Sequence, residues 1–348
     1  MDTVKDWKQW LKTLGYPQIE RAPRRNPSGL VAMHGGVSSP KPGRIKIISF
    51  NGLFLQTTER WPIGEVVALT LRKEGASARD SEFQIDVQAR VASYGEDGVG
   101  LGFVLPKGLN AGLWEHLVAS ADAPTETDDA QFIFRMVRAI LFLYRVCPSK
   151  NTETINVLTG ELDEFRTRNM IAIVLSAEKM LAAGPNPGNM RADPQLVESI
   201  LKDGSWGNDK LTPQLWAGLL ASSCSLEGTD ESNKGFAELL VQMTPNQARI
   251  LVEGCVRAGK LSWIERGGGP ATIVITPEEM VRITGNYDLY RSATDVAYLN
   301  VHGLVEKNFD FSTYGPKESF DITPTDLGLR LFKACRGNVL TQIAEVLS

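Results

Sequence analysis

The sequence predicts an α+β multidomain protein in which an N-terminal antiparallel β structure precedes a mainly α-helical region with a winged-helix-like end. From Leu30 to Leu105 apolar residues recur with period two, in six short runs separated by Gly, Pro, Asn and Asp. From Asp129 onward the apolar spacing becomes three and four, the period of helices. No helix-length pattern lies between the β runs, so parallel crossovers have no room and the strands pair antiparallel, as a barrel or a sandwich.

The elements follow in order. Val4, Trp7, Leu11 and Leu14, with Trp10 beside them, predict an amphipathic helix over residues 1–17 whose aromatic face packs on another domain or on a partner. "GYPQIERAPRRNPSG" has three prolines and no period, and reads as an extended loop. The β runs are "LVAMHG", "RIKIIS", "GLFLQT", "EVVALTLRK", "FQIDVQARVASYG" and "GVGLGFVLP". "KGLNAGLWEHLVAS" predicts a helix that closes a domain over 18–120, and the acidic "ADAPTETDDA" places a linker at 121–128.

A helical connector is expected over 129–188. In "DDAQFIFRMVRAILFLYRVC" one stripe carries Phe132, Met136, Ile140 and Leu143, flanked by Ile133, Val137, Leu141 and Tyr144. "TETINVLTGELDEFRTRNMIAIVLSAEKMLAAG" continues it and stops at Gly184 and two nearby prolines. Residues 189–348 then read as the helices "QLVESILKDG", "TPQLWAGLLASSC", "NKGFAELLVQM" and "TPNQARILVEGCVRAG". Several begin with Thr-Pro, a capping hydroxyl followed by a proline at the first helical position. "LSWIERGGGPATIVIT" and "FDFSTYGPKESFDIT" predict hairpins on either side of "DLYRSATDVAYLNVHGLVEK", and "TPTDLGLRLFKAC" is the last helix.

Composition narrows the function. With 348 residues, 43% hydrophobic and 22% charged, the chain is long enough for two cores or more. No run approaches the roughly 18 apolar residues of a membrane span, and the N-terminus lacks the apolar stretch of a signal peptide, so a cytoplasmic protein with no membrane insertion is expected. Cys147, Cys224, Cys255 and Cys335 form no CxxC, and His34, His116 and His302 are scattered; neither a disulfide framework nor a zinc motif is signalled. GxSxG and HExxH are absent, and Gly267 to Gly269 lack the Gly-Lys-Ser/Thr ending of a phosphate loop. The expectation is a non-enzymatic protein without a cofactor.

Residues 1–120 are net basic and the remainder net acidic. The basic surplus is concentrated in Arg21, Arg24 and Arg25, which reads as a local anion contact or as a solvated loop. The winged end carries Asp288, Asp295, Glu306, Asp310, Glu318 and Asp321, which repel phosphate; DNA is not an expected partner.

Over about residues 18–118, the order Arg21-x-x-x-Arg25, a strand, Ser49-Phe50-Asn51-Gly52 with "LFL", then "GEVVALTL", "VQARVASYGEDGVGLGF" and a terminal helix resembles the PilZ domain family. The resemblance implies a six-stranded antiparallel β-barrel that binds cyclic di-GMP or a related cyclic dinucleotide. It implies Arg21, Arg24, Arg25, Ser49, Asn51 and Gly52 as the ligand-binding residues. The chemistry is apt: arginine forks onto phosphate oxygens or guanine O6 and N7, serine offers a hydroxyl, and glycine admits a close approach. One residue departs from the family pattern, Ile47, which stands where the family has Asp or Asn. An alkyl group cannot accept from guanine N1–H, and a buried donor left unpaired costs roughly 1–3 kcal/mol, about 5- to 150-fold in affinity.

Over about residues 190–340, "LWAGLLASS", "FAELLVQMTPNQARIL", "VAYLNVHGLVE" and "DITPTDLGLRLFKAC" resemble the Abi-alpha family, associated by name with abortive infection after phage attack. These are packing motifs and bring no catalytic residues; they imply a helical domain that meets a protein partner or associates with itself. Two readings stand side by side. In one, a cyclic dinucleotide on the barrel is relayed to the helical interaction domain; in the other, the barrel is a ligand-free docking module with a degenerate PilZ site, in phage defence.

Overall fold

The structure, a computed structural model, describes residues 29–34, 41–49, 51–75, 83–104, 128–147, 164–184, 188–264, 272–306 and 319–336. The chain divides into two compact units, 1–144 and 145–348, each taken here by itself. The expected N-terminal helix, the loop with Arg21, Arg24 and Arg25, the helix over 107–120 and residues 121–127 of the linker lie outside the described residues.

In the first unit six strands close a barrel: β1 (Leu30–His34), β2 (Lys41–Ser49), β3 (Gly52–Gln56), β4 (Val66–Lys73), β5 (Gln84–Tyr94) and β6 (Gly98–Phe103). They run in the order β1-β2-β3-β6-β5-β4, every neighbour antiparallel. Of the two β architectures open to the sequence the barrel is realised, and closure leaves no edge strand exposed. Alternate residues point inward, among them Ala32, Ile45, Leu55, Leu71, Ile85, Val91 and Val99, all buried. Each such side chain contributes about 1.5–3 kcal/mol on full burial.

The alternation breaks at two places that bend the sheet. In β2 the register shifts between Ile45 and Ile47, and in β5 between Val91 and Ser93. A bulge puts two consecutive residues on one face. Lys46 and Ile47 therefore both face outward, and Ile48 returns to the core. After the barrel comes α1 (Asp128–Val146); within this unit its Phe134 is fully buried and meets Phe83 edge-on, with ring centroids 5.8 Å apart.

Among the described residues the second unit contains α2 (Glu164–Ala182), α3 (Pro194–Gly204), α4 (Leu211–Ser222), α5 (Lys234–Gln242), α6 (Pro245–Ile264), α7 (Pro277–Thr284), α8 (Leu289–Val301) and α9 (Asp326–Cys335). Starts are marked by side-chain caps. Asp193 accepts from Gln195 N and Leu196 N, Thr276 and Glu279 form a reciprocal capping box, and Thr325 accepts from Gly328 N. The Thr-Pro start expected for α4 is corrected: Asp209 accepts from the N–H groups of Leu211 and Thr212, so the helix begins ahead of Pro213. α4 is the central helix, with Leu215 through Ala221 all buried. It packs against α2, α3 and α9, and meets α9 so closely that a Cβ on Gly218 would lie 1.6 Å from Cys335 O.

The end of this unit has winged-helix order. After α6 come β7 (Val274–Ile275), α7, a turn through Gly285, α8, the segment around Val305, and β8 (Phe320–Asp321). β7 pairs antiparallel with β8, Ile322 N donates to Ile273 O, and Val305 bridges to Pro324, so the 320–324 segment is the middle strand of three. This corrects the hairpin expected within "LSWIERGGGPATIVIT": residues to Ile264 extend α6, and Val274–Ile275 takes its partner from far along the chain. Buried Ile275 and Phe320 account for that choice, since their pairing covers both side chains. Residues 307–318, most of the second expected hairpin, lie outside the described residues. Among the described residues no helix is long and apolar enough to cross a membrane.

Candidate ligand or docking site on the barrel wall

Ser49, Asn51 and Gly52 belong to the tight β2–β3 hairpin at one rim of the barrel, where Ser49 and Gly52 are register partners. Their chemistry there is turned largely inward. Ser49 Oγ donates to Gly52 O at 3.2 Å, and Asn51 O accepts from Phe103 N at 2.9 Å, tying the turn to β6. A Cβ on Gly52 would lie 2.1 Å from Leu101 O, so the missing side chain is required by strand packing. The structure thus brings together three of the six predicted residues. Arg21, Arg24 and Arg25 lie outside the described residues.

Ile47 stands on the outer wall with 42% of its surface exposed, put there by the bulge at Lys46. It pairs with Phe54 of β3, Phe54 pairs with Gly100 of β6, and Gly100 pairs with Ser93 of β5, a row running across three strands from β2. The Phe54 ring lies over the β5–β6 turn: a Cβ on Gly95 would come within 2.7 Å of it, and one on Gly98 within 2.8 Å. Glycines in "GEDGVGLG" therefore make a flat wall on which one aromatic ring rests, next to an exposed isoleucine.

Charges frame this surface. Lys46, beside Ile47, pairs with Asp97 in the β5–β6 turn, and Gln56 Nε2 donates to the same carboxylate at 2.8 Å. The Lys46 ammonium holds the Asp97 carboxyl below its ordinary range, as Lys41, 2.7 Å from Glu59, does for Glu59. Both pairs are exposed and add little stability. An open cleft of about 460 Å³ adjoins them, lined by Gln56, Thr57, Thr58, Arg60, Glu96 and Asp97.

The loop after β3 straps this end of the barrel. Tyr94 OH donates to Trp61 O at 2.8 Å, Arg90 Nη1 to Gly64 O at 2.8 Å, and Gly64 N to Val91 O at 2.9 Å. Beneath it lies His34, 5% exposed, edge-on to Trp61 with centroids 5.3 Å apart and Nε2 3.4 Å from Thr57 Oγ1; its Nδ1 has no hydrogen-bond partner. Burial lowers the imidazole below its ordinary value, Glu59 opposes this, and Lys41 adds to it. Sequence reading passed over His34, Phe54 and the strap. The signal for Phe54 was present in the pairing of "LFL" with a glycine-spaced strand, and that for His34 in the alternation of "LVAMHG", which sets it on one face with Leu30 and Ala32.

Within the helical unit, part of the chain is similar to a known family. Residues 172–300 match the abortive infection alpha family. The matched stretch runs from within α2 to the last turn of α8. It starts before, and ends before, the span that the motifs suggested. No match to the PilZ family is found for the N-terminal part, so the barrel stands on its observed architecture alone. Neither a curated protein nor a solved structure matches the chain.

Proposed function

We propose that this protein is a non-enzymatic, cytoplasmic bacterial regulator or effector of the abortive-infection kind, whose barrel is a docking platform for a protein partner and whose helical unit delivers the response. One observation carries the barrel's role: the position where a dinucleotide site of the PilZ type needs a hydrogen-bond acceptor holds Ile47, exposed on the outer wall in register with Phe54. The hydroxyl of Ser49 and the bare backbone of Gly52 are meanwhile used by the barrel itself. An exposed apolar residue beside an aromatic ring on a flat glycine wall suits a protein surface better than a guanine edge. The family match over residues 172–300 supports the phage-defence half of the reading.

A second reading is a cyclic dinucleotide sensor. It rests on the gathering of Ser49, Asn51 and Gly52 at one rim, downstream of Arg21, Arg24 and Arg25. Under it, ligand would recruit the arginines and shift the population of states in which the helical unit meets its partner.

Cells expressing the chain under phage challenge test the first reading. The wild-type chain should lower phage yield, and Ile47→Asp, at an exposed position, should abolish that effect while leaving the thermal midpoint of the purified protein unchanged. Protection that survives Ile47→Asp would remove the barrel wall from the account, and no protection by the wild type would remove abortive infection.

A further inference from the structure

His34 closes β1 in a setting that suits only a neutral imidazole. The ring is 5% exposed, its Nδ1 is buried without a hydrogen-bond partner, and its Nε2 lies 3.4 Å from Thr57 Oγ1. Its cover is the strap, residues 57–64, and Trp61 of the strap meets it edge-on at 5.3 Å. The strap is anchored main chain to main chain at its far end, where Gly64 N donates to Val91 O. Nearer His34 it is fastened by barrel side chains: Tyr94 OH donates to Trp61 O, and Lys41 Nζ to Glu59 Oε1, both in exposed positions. Such bonds are individually weak, so the strap is held less firmly than the ladder beneath it. Under it lie Leu69, the register partner of His34 on β4, and Leu55; a Cβ on Gly43 would touch both Leu55 and the imidazole.

A neutral imidazole has one N–H to place, whereas an imidazolium has two and a charge. Under the strap the second N–H would find no acceptor, and a charge buried without a partner costs far more than a neutral group. The charged groups around the ring are Lys41, its register partner on β2, and Glu59 and Arg60 of the strap. Lys41 adds to the effect of burial and Glu59 opposes it, while Arg60 is turned to Thr57 O, Glu59 O and the Tyr94 ring. From β5, Arg90 is engaged by Gly64 O at the far end of the strap; the rest of β1 and residues 35–40 include no titratable side chain. We propose that the strap is an acid-sensitive flap, closed over this end of the barrel while His34 is neutral and lifted when His34 takes a proton. Lifting gives the imidazolium to water and exposes Trp61. It also dismantles the open cleft, since Thr57, Thr58 and Arg60 of its lining belong to the strap. This inference is independent of what the barrel binds.

Amide hydrogen exchange on the full chain from about pH 5 to 7.5, read by mass spectrometry and corrected for the intrinsic rate, tests it. Peptides from 57–64 should lose protection as pH falls below about 6.5, by up to about tenfold per pH unit, while peptides from β5 keep theirs. His34→Phe, which keeps a ring against Trp61 and cannot titrate, should hold the strap closed throughout. In proton NMR the His34 ring signal, the one that His116→Gln and His302→Gln leave in place, should titrate below the ordinary value. Strap protection that does not change with pH, or that falls equally in His34→Phe, would overturn the inference. Should His34→Phe not fold, the wild type decides by itself: His34 taking up its proton while the strap stays protected would equally overturn it.

Discussion

At Gly52 the requirement is steric and local. Any Cβ meets Leu101 O at 2.1 Å, a backbone atom held in the β3–β6 ladder that cannot swing aside. Gly52→Ala should therefore destabilise the barrel by about 1–3 kcal/mol, the ordinary cost of overpacking, visible as a lower midpoint in chemical denaturation. An unchanged midpoint would show that the hairpin has slack, and would return Gly52 to the list of residues kept for a ligand. His34 makes a second prediction. Its imidazole is buried, and burial lowers its proton affinity below the ordinary 6.5. The unfolded chain takes up a proton near that ordinary value and the folded one only at lower pH. Between the two values the unfolded state binds more protons, so stability rises with pH through the window and is lost as pH falls below about 6.5. Denaturation midpoints across this range should show that loss in the wild type and a weaker one in His34→Phe, which keeps an aromatic ring against Trp61. Parallel slopes would mean that His34 is not the group responsible.

Strands and helices of this chain differ in how openly the sequence announces them. The six β runs were legible because the inward residues, His34 and Lys73 apart, are apolar and each break contains Gly, Pro, Asn or Asp. The bulge at Lys46 was not, because "RIKII" offers two isoleucines to one face and only pairing with Leu55 and Phe54 decides that Ile45 goes in and Ile47 out. That one residue of register determines whether position 47 is core or surface, and with it the character of the candidate site. The helix in "TPTDLGLRLFKAC" was legible, and Thr325 caps it; α7, capped by Thr276, was passed over, and the start of α4 was set by Asp209. The pairing of β7 escaped sequence reading because its partner, β8, lies across two helices and a turn. The capping box gives this scale its own test: Thr276→Ala should cost about 1 kcal/mol, and Thr276→Ser little, in the unfolding of the helical unit. Equal midpoints for all three chains would mean that Glu279, held 3.0 Å from Arg257, fixes the start of α7 without the hydroxyl.

For the molecule as a whole, a closed antiparallel barrel and a helical unit matching the abortive infection alpha family occur in one chain. In the proposed function the barrel acts through something it binds, and the two readings of its surface differ in what that is. A cyclic dinucleotide needs arginine for its phosphates and an acceptor for its guanines. A protein partner needs exposed apolar surface, which Ile47 provides beside the half-buried Phe54. Titration calorimetry of the full chain with cyclic di-GMP, cyclic di-AMP and cyclic GMP-AMP, repeated with Arg25→Ala, separates them. The docking account predicts no saturable heat with any of the three. Micromolar or tighter binding by the wild type, lost in Arg25→Ala, would contradict it and make the barrel a nucleotide sensor despite Ile47.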